Sequence, residues 1–440
     1  VITARAFAGK HYAVYGLARS GLATVEALLA SGARVTAWDA KEEARENLRS
    51  SRAQSRDREE GVSTALDTNG LEIANLDETD LSHFNSLVVT PGLPLNRHPI
   101  AQRARDAGVE IIGDIELFAR ARPELPPHKV VGITGTNGKS TTTALVHHIL
   151  KTAGVPTTMG GNIGLPILAQ DPLPEGGVYV LELSSYQIDL TQSLDCDVAV
   201  LINITPDHLD RYESFEAYAR SKWRLIEMQS VGHPAIINFQ EEARTTREAD
   251  VWWLIEGVPQ NDQPNWPALQ GPHNAQNAEA AQIVGKALGI EWTDISRALR
   301  TYPGLPHRME RIREKDGVLF VNDSKATNPT ATAPALAAFD RIRWICGGQP
   351  KTDTLDECAP HFGNVRSAYT IGEAADLFER LLSPHIPVKN CGKLEIAVRE
   401  AAQDSEAGDT VLLSPACASF DQFRDFEDRG DQFRELVRGL

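Results

Sequence analysis

Short apolar runs recur along this chain, each followed by a glycine-bearing turn and then by apolar positions at helical spacing. The first run is His11-Tyr-Ala-Val-Tyr15. Gly16-Leu-Ala-Arg-Ser-Gly21 follows it, then a helical pattern through Leu22, Val25, Leu28 and Leu29. Arg34-Val-Thr-Ala-Trp38 reads as the next strand and ends on Asp39. Strand, turn, helix and strand make a βαβ unit, and so a parallel sheet. Leu87-Val-Val-Thr90, ahead of Pro91-Gly92, reads as a later strand of the same sheet. Between them Lys41–Glu60 carries six basic and six acidic side chains and almost no apolar ones, which predicts a solvated helix or loose insertion.

The pattern restarts beyond the proline-rich seam Arg122-Pro-Glu-Leu-Pro-Pro127. Lys129-Val-Val-Gly-Ile133 predicts a buried strand, and Ser140 to Ala153 a helix. Val178-Tyr-Val-Leu-Glu182 and Asp197-Val-Ala-Val-Leu-Ile-Asn203 are further buried strands that end on polar residues. In open α/β sheets ligands collect at such carboxyl ends. A second seam at Tyr302-Pro-Gly-Leu-Pro306 precedes strand-like runs at Val318–Val321, Ile342–Cys346 and Thr410–Leu413. The expected architecture is α/β in three domains: residues 1–125, Rossmann-like; 126–304, a central P-loop-type nucleotide domain on a parallel sheet; and 305–440, again Rossmann-like.

Length agrees, since 440 residues at about 150 per domain allow about three cores. A hydrophobic share of 42% and a charged share of 24% exclude a mainly disordered, collagen-like or coiled-coil chain. The formal charge of −16 argues against a protein that coats nucleic acid or an anionic membrane. It does not exclude phosphate ligands, which a few local amides and lysines can hold. The five cysteines form no C-x-x-C pair, so a disulfide framework or structural zinc site is not expected and a reducing, cytoplasmic compartment is. No apolar run approaches the length needed to span a bilayer.

Gly135-Thr-Asn-Gly-Lys-Ser-Thr141 carries the strongest chemistry, because it lies between a predicted strand and a predicted helix. Backbone N–H groups of such a loop curl around phosphate oxygens, and the helix N-terminus adds partial positive charge. Lys139 would reach the terminal phosphates, and the hydroxyl of Ser140 or Thr141 would meet Mg²⁺. The general pattern G-x-x-x-x-G-K-[ST] asks for glycine where this chain has Ile133. Glu182, ending a buried strand in Leu181-Glu-Leu-Ser-Ser-Tyr-Gln187, is placed to hold the nucleotide's Mg²⁺. Asn274 and Asn277, in His273-Asn-Ala-Gln-Asn277, fall on one helix face and suit adenine and ribose recognition. Cys417 reads as a buried neutral thiol, with no histidine at a useful spacing.

Gly-Thr-Asn-Gly-Lys-Ser resembles the nucleotide loop of the Mur ligases and their folylpolyglutamate synthetase relatives, and the likeness extends through all three blocks. It implies an ATP-dependent ligase of peptidoglycan precursor synthesis, using two Mg²⁺ ions. His208, in Asn203-Ile-Thr-Pro-Asp-His-Leu-Asp-Arg211, matches a second-metal ligand. Lys222, in Arg220-Ser-Lys-Trp-Arg224, matches a lysine carbamylated by CO₂, an anionic metal ligand. With Lys139 and Glu182 these form the implied catalytic set, and Ser140, Glu182, His208 and carbamylated Lys222 the metal set. The implied ATP contacts are Gly135, Thr136, Asn137, Gly138, Lys139, Ser140, Thr141, Asn274, Asn277 and Arg308, with Asp323 and Lys325 in Asn322-Asp-Ser-Lys-Ala-Thr-Asn328.

Substrate positions follow from the same resemblance. Arg19, Ser20, Asp39 and Gly92 match contacts to the UDP group, although Ala40-Lys41 departs from the Thr-Arg of one branch. Asn162, in Gly160-Gly-Asn-Ile-Gly164, and Ser184 match positions near the nucleotide-sugar. Gly347-Gly-Gln-Pro-Lys351 and Ser414-Pro-Ala-Cys-Ala-Ser-Phe-Asp-Gln-Phe-Arg-Asp-Phe-Glu427 set this chain apart from sibling ligases. They resemble a D-glutamate pocket, with Thr327, Lys351, Ser419, Phe420 and Phe426 as the matching positions. The implied substrates are UDP-N-acetylmuramoyl-L-alanine and D-glutamate, and the implied state is a monomer with no nucleic-acid partner. The rival from another class is a nicotinamide-dependent oxidoreductase or nucleotide switch built on Gly16–Gly21. That turn lacks the middle glycine of G-x-G-x-x-G.

Overall fold

In a computed structural model, residues 1–59, 70–207, 211–238, 252–256 and 261–440 are described. Three sheets organise them. The first contains β1 (His11–Tyr15), β2 (Arg34–Trp38), β3 (Leu71–Ile73), β4 (Ser86–Val89) and β5 (Glu110–Ile112) in the order β3-β2-β1-β4-β5, all parallel. The second contains β6 (His128–Thr134), β7 (Thr157–Gly161), β8 (Gly177–Glu182), β9 (Val198–Leu201), β10 (Ala235–Asn238) and β11 (Trp252–Ile255). Its order is β11-β10-β9-β6-β8-β7, again parallel throughout.

The third sheet holds β12 (Glu310–Lys315), β13 (Val318–Asn322), β14 (Ile342–Gly347), β15 (Val365–Ile371), β16 (Val388–Gly392) and β17 (Thr410–Leu413). Its order is β12-β13-β17-β14-β15-β16, with β12 antiparallel to β13 and the other pairs parallel. By contacts the chain divides into two units. One comprises Val1–Glu256 with Ala280–Ile295 and carries the first two sheets; the other comprises Gly257–Glu279 with Ser296–Leu440 and carries the third.

Strands covered by helices on both faces need apolar side chains throughout, and β8 and β9 are buried at every residue. Burying one Val, Leu or Ile side chain contributes about 1.5–3 kcal/mol, so these short runs suffice to fix the sheet centre. The charged stretch from Lys41 forms the helix Glu42–Glu59, while Glu60 lies outside the described residues. Among the described residues no helix is long and apolar enough to cross a membrane.

Each sheet has a place where adjacent strands send their connections to opposite sides, and ligands bind at the carboxyl ends there. In the first sheet this is the β1/β4 junction, followed by Gly16 and Thr90. In the second it is β6, flanked by β8 and β9. In the third, β13, β17 and β14 lie side by side and end at Asn322, Leu413 and Gly347.

Candidate active site

The central loop is built by strand register. β6 pairs with β8 so that Ile133 lies opposite Glu182, and with β9 so that Thr134 lies opposite Leu201. Gly135–Gly138 therefore leaves the sheet between Glu182 and the segment after β9, and the helix Lys139–Thr152 begins directly behind it. Gly138 caps that helix with φ +84°, a conformation that strains any residue bearing a Cβ.

Asn203 braces the loop. Its Oδ1 accepts from Thr136 N at 3.1 Å and Asn137 N at 2.9 Å, and its Nδ2 donates to Asn137 O at 3.2 Å. Thr136 Oγ1 donates to Thr205 O at 3.1 Å and lies 3.0 Å from Tyr218 OH. These braces were not among the residues expected to form the site. Asn203 was visible only as the first letter of its string, and nothing in the sequence pattern singled out Tyr218.

Two lysines share one carbonyl. Lys139 Nζ donates to Gly135 O at 2.9 Å and to Thr136 O at 2.7 Å, while Lys222 Nζ donates to the same Gly135 O at 2.8 Å. Lys222 is 2% exposed, and its ammonium lies 4.7 Å from the Tyr218 ring centroid, one helical turn back. Burial, and then the charge of Lys139, hold Lys222 well below the usual lysine range; Asp207 and Asp189 oppose this. The helix Phe215–Glu227, capped by Ser214 Oγ on Ala217 N, carries Lys222 inward. Gly132 lets this helix approach β6, since a Cβ there would lie 2.6 Å from Cys196 Sγ and 3.1 Å from Leu225.

Glu182 is 2% exposed. Its Oε1 accepts from Asn162 Nδ2 at 2.9 Å, whereas Oε2 is buried with no hydrogen-bond partner among the described residues. A buried carboxylate oxygen left unpaired costs stability unless something absent from the chain completes it. A hard divalent cation beside a phosphate loop fits that requirement. Among the described residues no three His, Cys, Asp or Glu side chains gather into a metal cluster. Ser140 is 5% exposed at the helix start. Thr141 follows it in the first turn. His208, expected as a further ligand, lies outside the described residues.

The first sheet's loops reach the same unit's central sheet. Asp39 Oδ2 accepts from Leu17 N at 2.7 Å and Oδ1 from Lys41 N at 2.9 Å, so this carboxylate shapes the glycine turn. Arg19 opens the helix Arg19–Ala30 and donates from Nη2 to Gly164 O at 2.8 Å, in the loop that carries Asn162. Ser20 stands beside it. Arg211 donates to Leu93 O at 2.9 Å and weakly to Gly92 O at 3.4 Å, and stacks 4.3 Å from the Tyr186 ring centroid. A cleft of about 200 Å³ opens there, lined by Pro91, Leu93, Asn96, Tyr186 and Arg211. The Ser184 hydroxyl is taken up as a helix cap in a capping box with Gln187.

In the other unit, Asn274 and Asn277 are buried and bonded to each other, Asn277 Nδ2 donating to Asn274 Oδ1 at 3.1 Å. Asp323 is buried too, with Oδ1 accepting from Met309 N at 3.1 Å and Oδ2 from Ser414 Oγ at 2.8 Å. Burial pushes its carboxyl up to about 7. Arg308 is half-buried between His307 and Met309, both with positive φ. Lys325 Nζ sits 3.7 Å from the Phe426 ring centroid, and Lys351 Nζ donates to Thr327 Oγ1 at 3.3 Å. Ser419 is buried and Phe420 exposed. Cys417 is buried, and burial pushes its thiol up to about 12, which disfavours the thiolate.

Comparison with known proteins places the chain. The Mur ligase MurD-like N-terminal domain matches residues 10–113, the Mur ligase middle domain 133–253, and the Mur ligase glutamate ligase domain 307–417. A UDP-N-acetylmuramoylalanine–D-glutamate ligase of Novosphingobium aromaticivorans is 57% identical, covering 100% of this chain and 97% of its own. The protein of that name from Sphingopyxis alaskensis is 56% identical over 100% of both. Among solved structures, the UDP-N-acetylmuramate-alanine ligase MurC of Thermotoga maritima shares the fold at TM-score 0.58 and 17% identity, covering 98% of this chain and 99% of its own. The MurF ligase of the same organism, solved with ADP, follows at TM-score 0.57 and 18% identity, over 84% and 98%. With domain matches along most of its length and full-length relatives above half identity, the chain belongs to the Mur ligase family.

Proposed function

We propose that the chain joins D-glutamate to UDP-N-acetylmuramoyl-L-alanine with consumption of ATP, in the cytoplasm and as a monomer. The observation that carries the reading is the braced Gly135–Thr141 loop, with Lys139, Lys222 and Glu182 at one end of one parallel sheet. Residues 1–125 would take the UDP-sugar, 126–304 the ATP and 305–440 the amino acid. Full-length relatives that carry the D-glutamate ligase name favour this choice over a sibling ligase or a folylpolyglutamate synthetase.

The N-terminus of the helix Lys139–Thr152 and the Lys139 ammonium hold the phosphates of ATP and offset the negative charge that grows as the γ-phosphate is transferred. The L-alanyl carboxylate of the UDP-sugar attacks that phosphate, giving an acyl phosphate and ADP. The amine of D-glutamate then attacks the acyl carbon through a tetrahedral intermediate and expels phosphate. Mg²⁺ ions, when bound, would screen the phosphate oxygens, with Glu182, Ser140, His208 and carbamylated Lys222 as their protein ligands. The cation Lys351, beside Thr327, suits a carboxylate of the incoming glutamate. Ser419, Phe420 and Phe426 would complete that pocket, and Asn274, Asn277, Arg308, Asp323 and Lys325 the nucleotide side.

An amino-acid panel tests the specificity. ADP release in the presence of the UDP-sugar is expected with D-glutamate at a rate at least about 10²-fold above L-glutamate or meso-diaminopimelate, because a misplaced carboxylate leaves buried polar groups unpaired. Preference for either of the others would overturn the assignment.

A further inference from the structure

We infer that Arg429 is the positioning residue of the amino-acid site, a buried fork that sets the loops after β13, β14 and β17 against one another. This rests on the D-glutamate reading above.

Arg429 lies in the first turn of the helix Phe426–Gly439 and is 0% exposed. Its Nε donates to Ser324 Oγ at 3.0 Å and its Nη2 to Ser324 O at 2.8 Å, both in the loop after β13. Nη1 and Nη2 each donate to Cys417 O at 3.2 Å, and Nη1 also to Ala418 O at 3.2 Å, in the loop after β17. Ala418 O in turn accepts from Gln349 N at 2.9 Å, and Ala418 N donates to Gln349 O at 2.9 Å, which joins the loop after β14. The three loops carry Thr327, Lys351 and Ser419. One side chain therefore governs how those residues face each other.

Among the described residues no carboxylate is in ion-pair contact with this guanidinium; its acceptors are three carbonyls and a hydroxyl. Burial pushes it down to about 10. A buried cation without a paired anion is costly, and an apolar side chain of similar volume would fill the space at lower cost. What only arginine supplies is a planar set of five donors that can bind two backbone loops at once. It keeps its positive charge at neutral pH, behind the loops that carry the proposed dicarboxylate site.

The test compares Arg429→Lys and Ser324→Ala with the wild type. Arg429→Lys keeps the charge and loses the fork. It is expected to raise the KM for D-glutamate about tenfold, the equivalent of one lost charge-assisted hydrogen bond. Its kcat at saturating D-glutamate and its KM for the UDP-sugar should stay within about threefold. Ser324→Ala removes one acceptor of Arg429 together with the bond from Ser324 Oγ to Phe426 O, and should raise the same KM by a smaller factor. A merely structural role would instead lower the amount of active enzyme, reducing kcat with every KM unchanged, and that result would overturn the inference. Should Arg429→Lys fail to melt cooperatively, Ser324→Ala decides, and an unchanged D-glutamate KM in it counts against the proposal. Wild-type ADP release that ignores D-glutamate would sink the functional reading instead.

Discussion

Lys139→Met should abolish ligation, lowering kcat by about 10³-fold or more while the melting temperature moves little. The ammonium donates to two carbonyls of its own loop, Gly135 O and Thr136 O, so it stands where the terminal phosphates would lie. Removing a preorganised charge aimed at a developing anion costs about 10²–10³ in rate, and the groups that contact a transferring phosphoryl lie at the upper end. Methionine keeps most of the stem, and the helix Lys139–Thr152 retains its Gly138 cap, so the fold should survive. Circular dichroism together with a coupled ADP assay reads both halves. A variant with kcat within tenfold of wild type would show that Lys139 is not the phosphate group's partner.

Lys222→Ala should be nearly as damaging, by about 10²–10³-fold, and for a different reason. This amine is buried, shares Gly135 O with Lys139, and is held toward its neutral form by burial and by Lys139's charge. A neutral amine adds CO₂ to give a carbamate and a proton, turning a cation into an anionic oxygen ligand. Wild-type activity is therefore expected to fall in CO₂-depleted buffer and to return with added bicarbonate, whereas Lys222→Ala should respond to neither. Full wild-type activity without CO₂ would remove the carbamate from the account and leave Lys222 as a loop brace.

The sheet centres were legible because buried parallel strands must be apolar throughout. His11–Tyr15, Arg34–Trp38 and Thr410–Leu413 have the limits read from the sequence, and the helix after the phosphate loop starts one residue earlier, at Lys139. The edges were not. β12, Glu-Arg-Ile-Arg-Glu-Lys, pairs on one side only and shows no fully buried residue; β7 and β16 likewise lack a buried face of their own. Edge strands owe their existence to a neighbour distant in sequence, and no local pattern records that.

The site divides in the same way. The phosphate loop and Glu182 are local signals, a glycine turn and an acid at a strand's end. That Glu182 meets Asn162, that Asn203 and Tyr218 brace the loop, and that Lys222 reaches Gly135 all depend on parallel register and helix packing. Arg429 sits in the charged run Arg424-Asp-Phe-Glu-Asp-Arg429, where periodicity gives no sign of which charge is buried. Lys222 was equally ordinary as a helix lysine, and only the family resemblance singled it out.

The central claim is that the UDP-sugar's carboxylate is phosphorylated before the amine attacks. Labelling both oxygens of the L-alanyl carboxylate with heavy oxygen tests it most directly. The account predicts that one labelled oxygen leaves in the inorganic phosphate and the other stays in the new amide carbonyl, with mass spectrometry reading both products. Unlabelled phosphate formed at the same rate as the amide would contradict it.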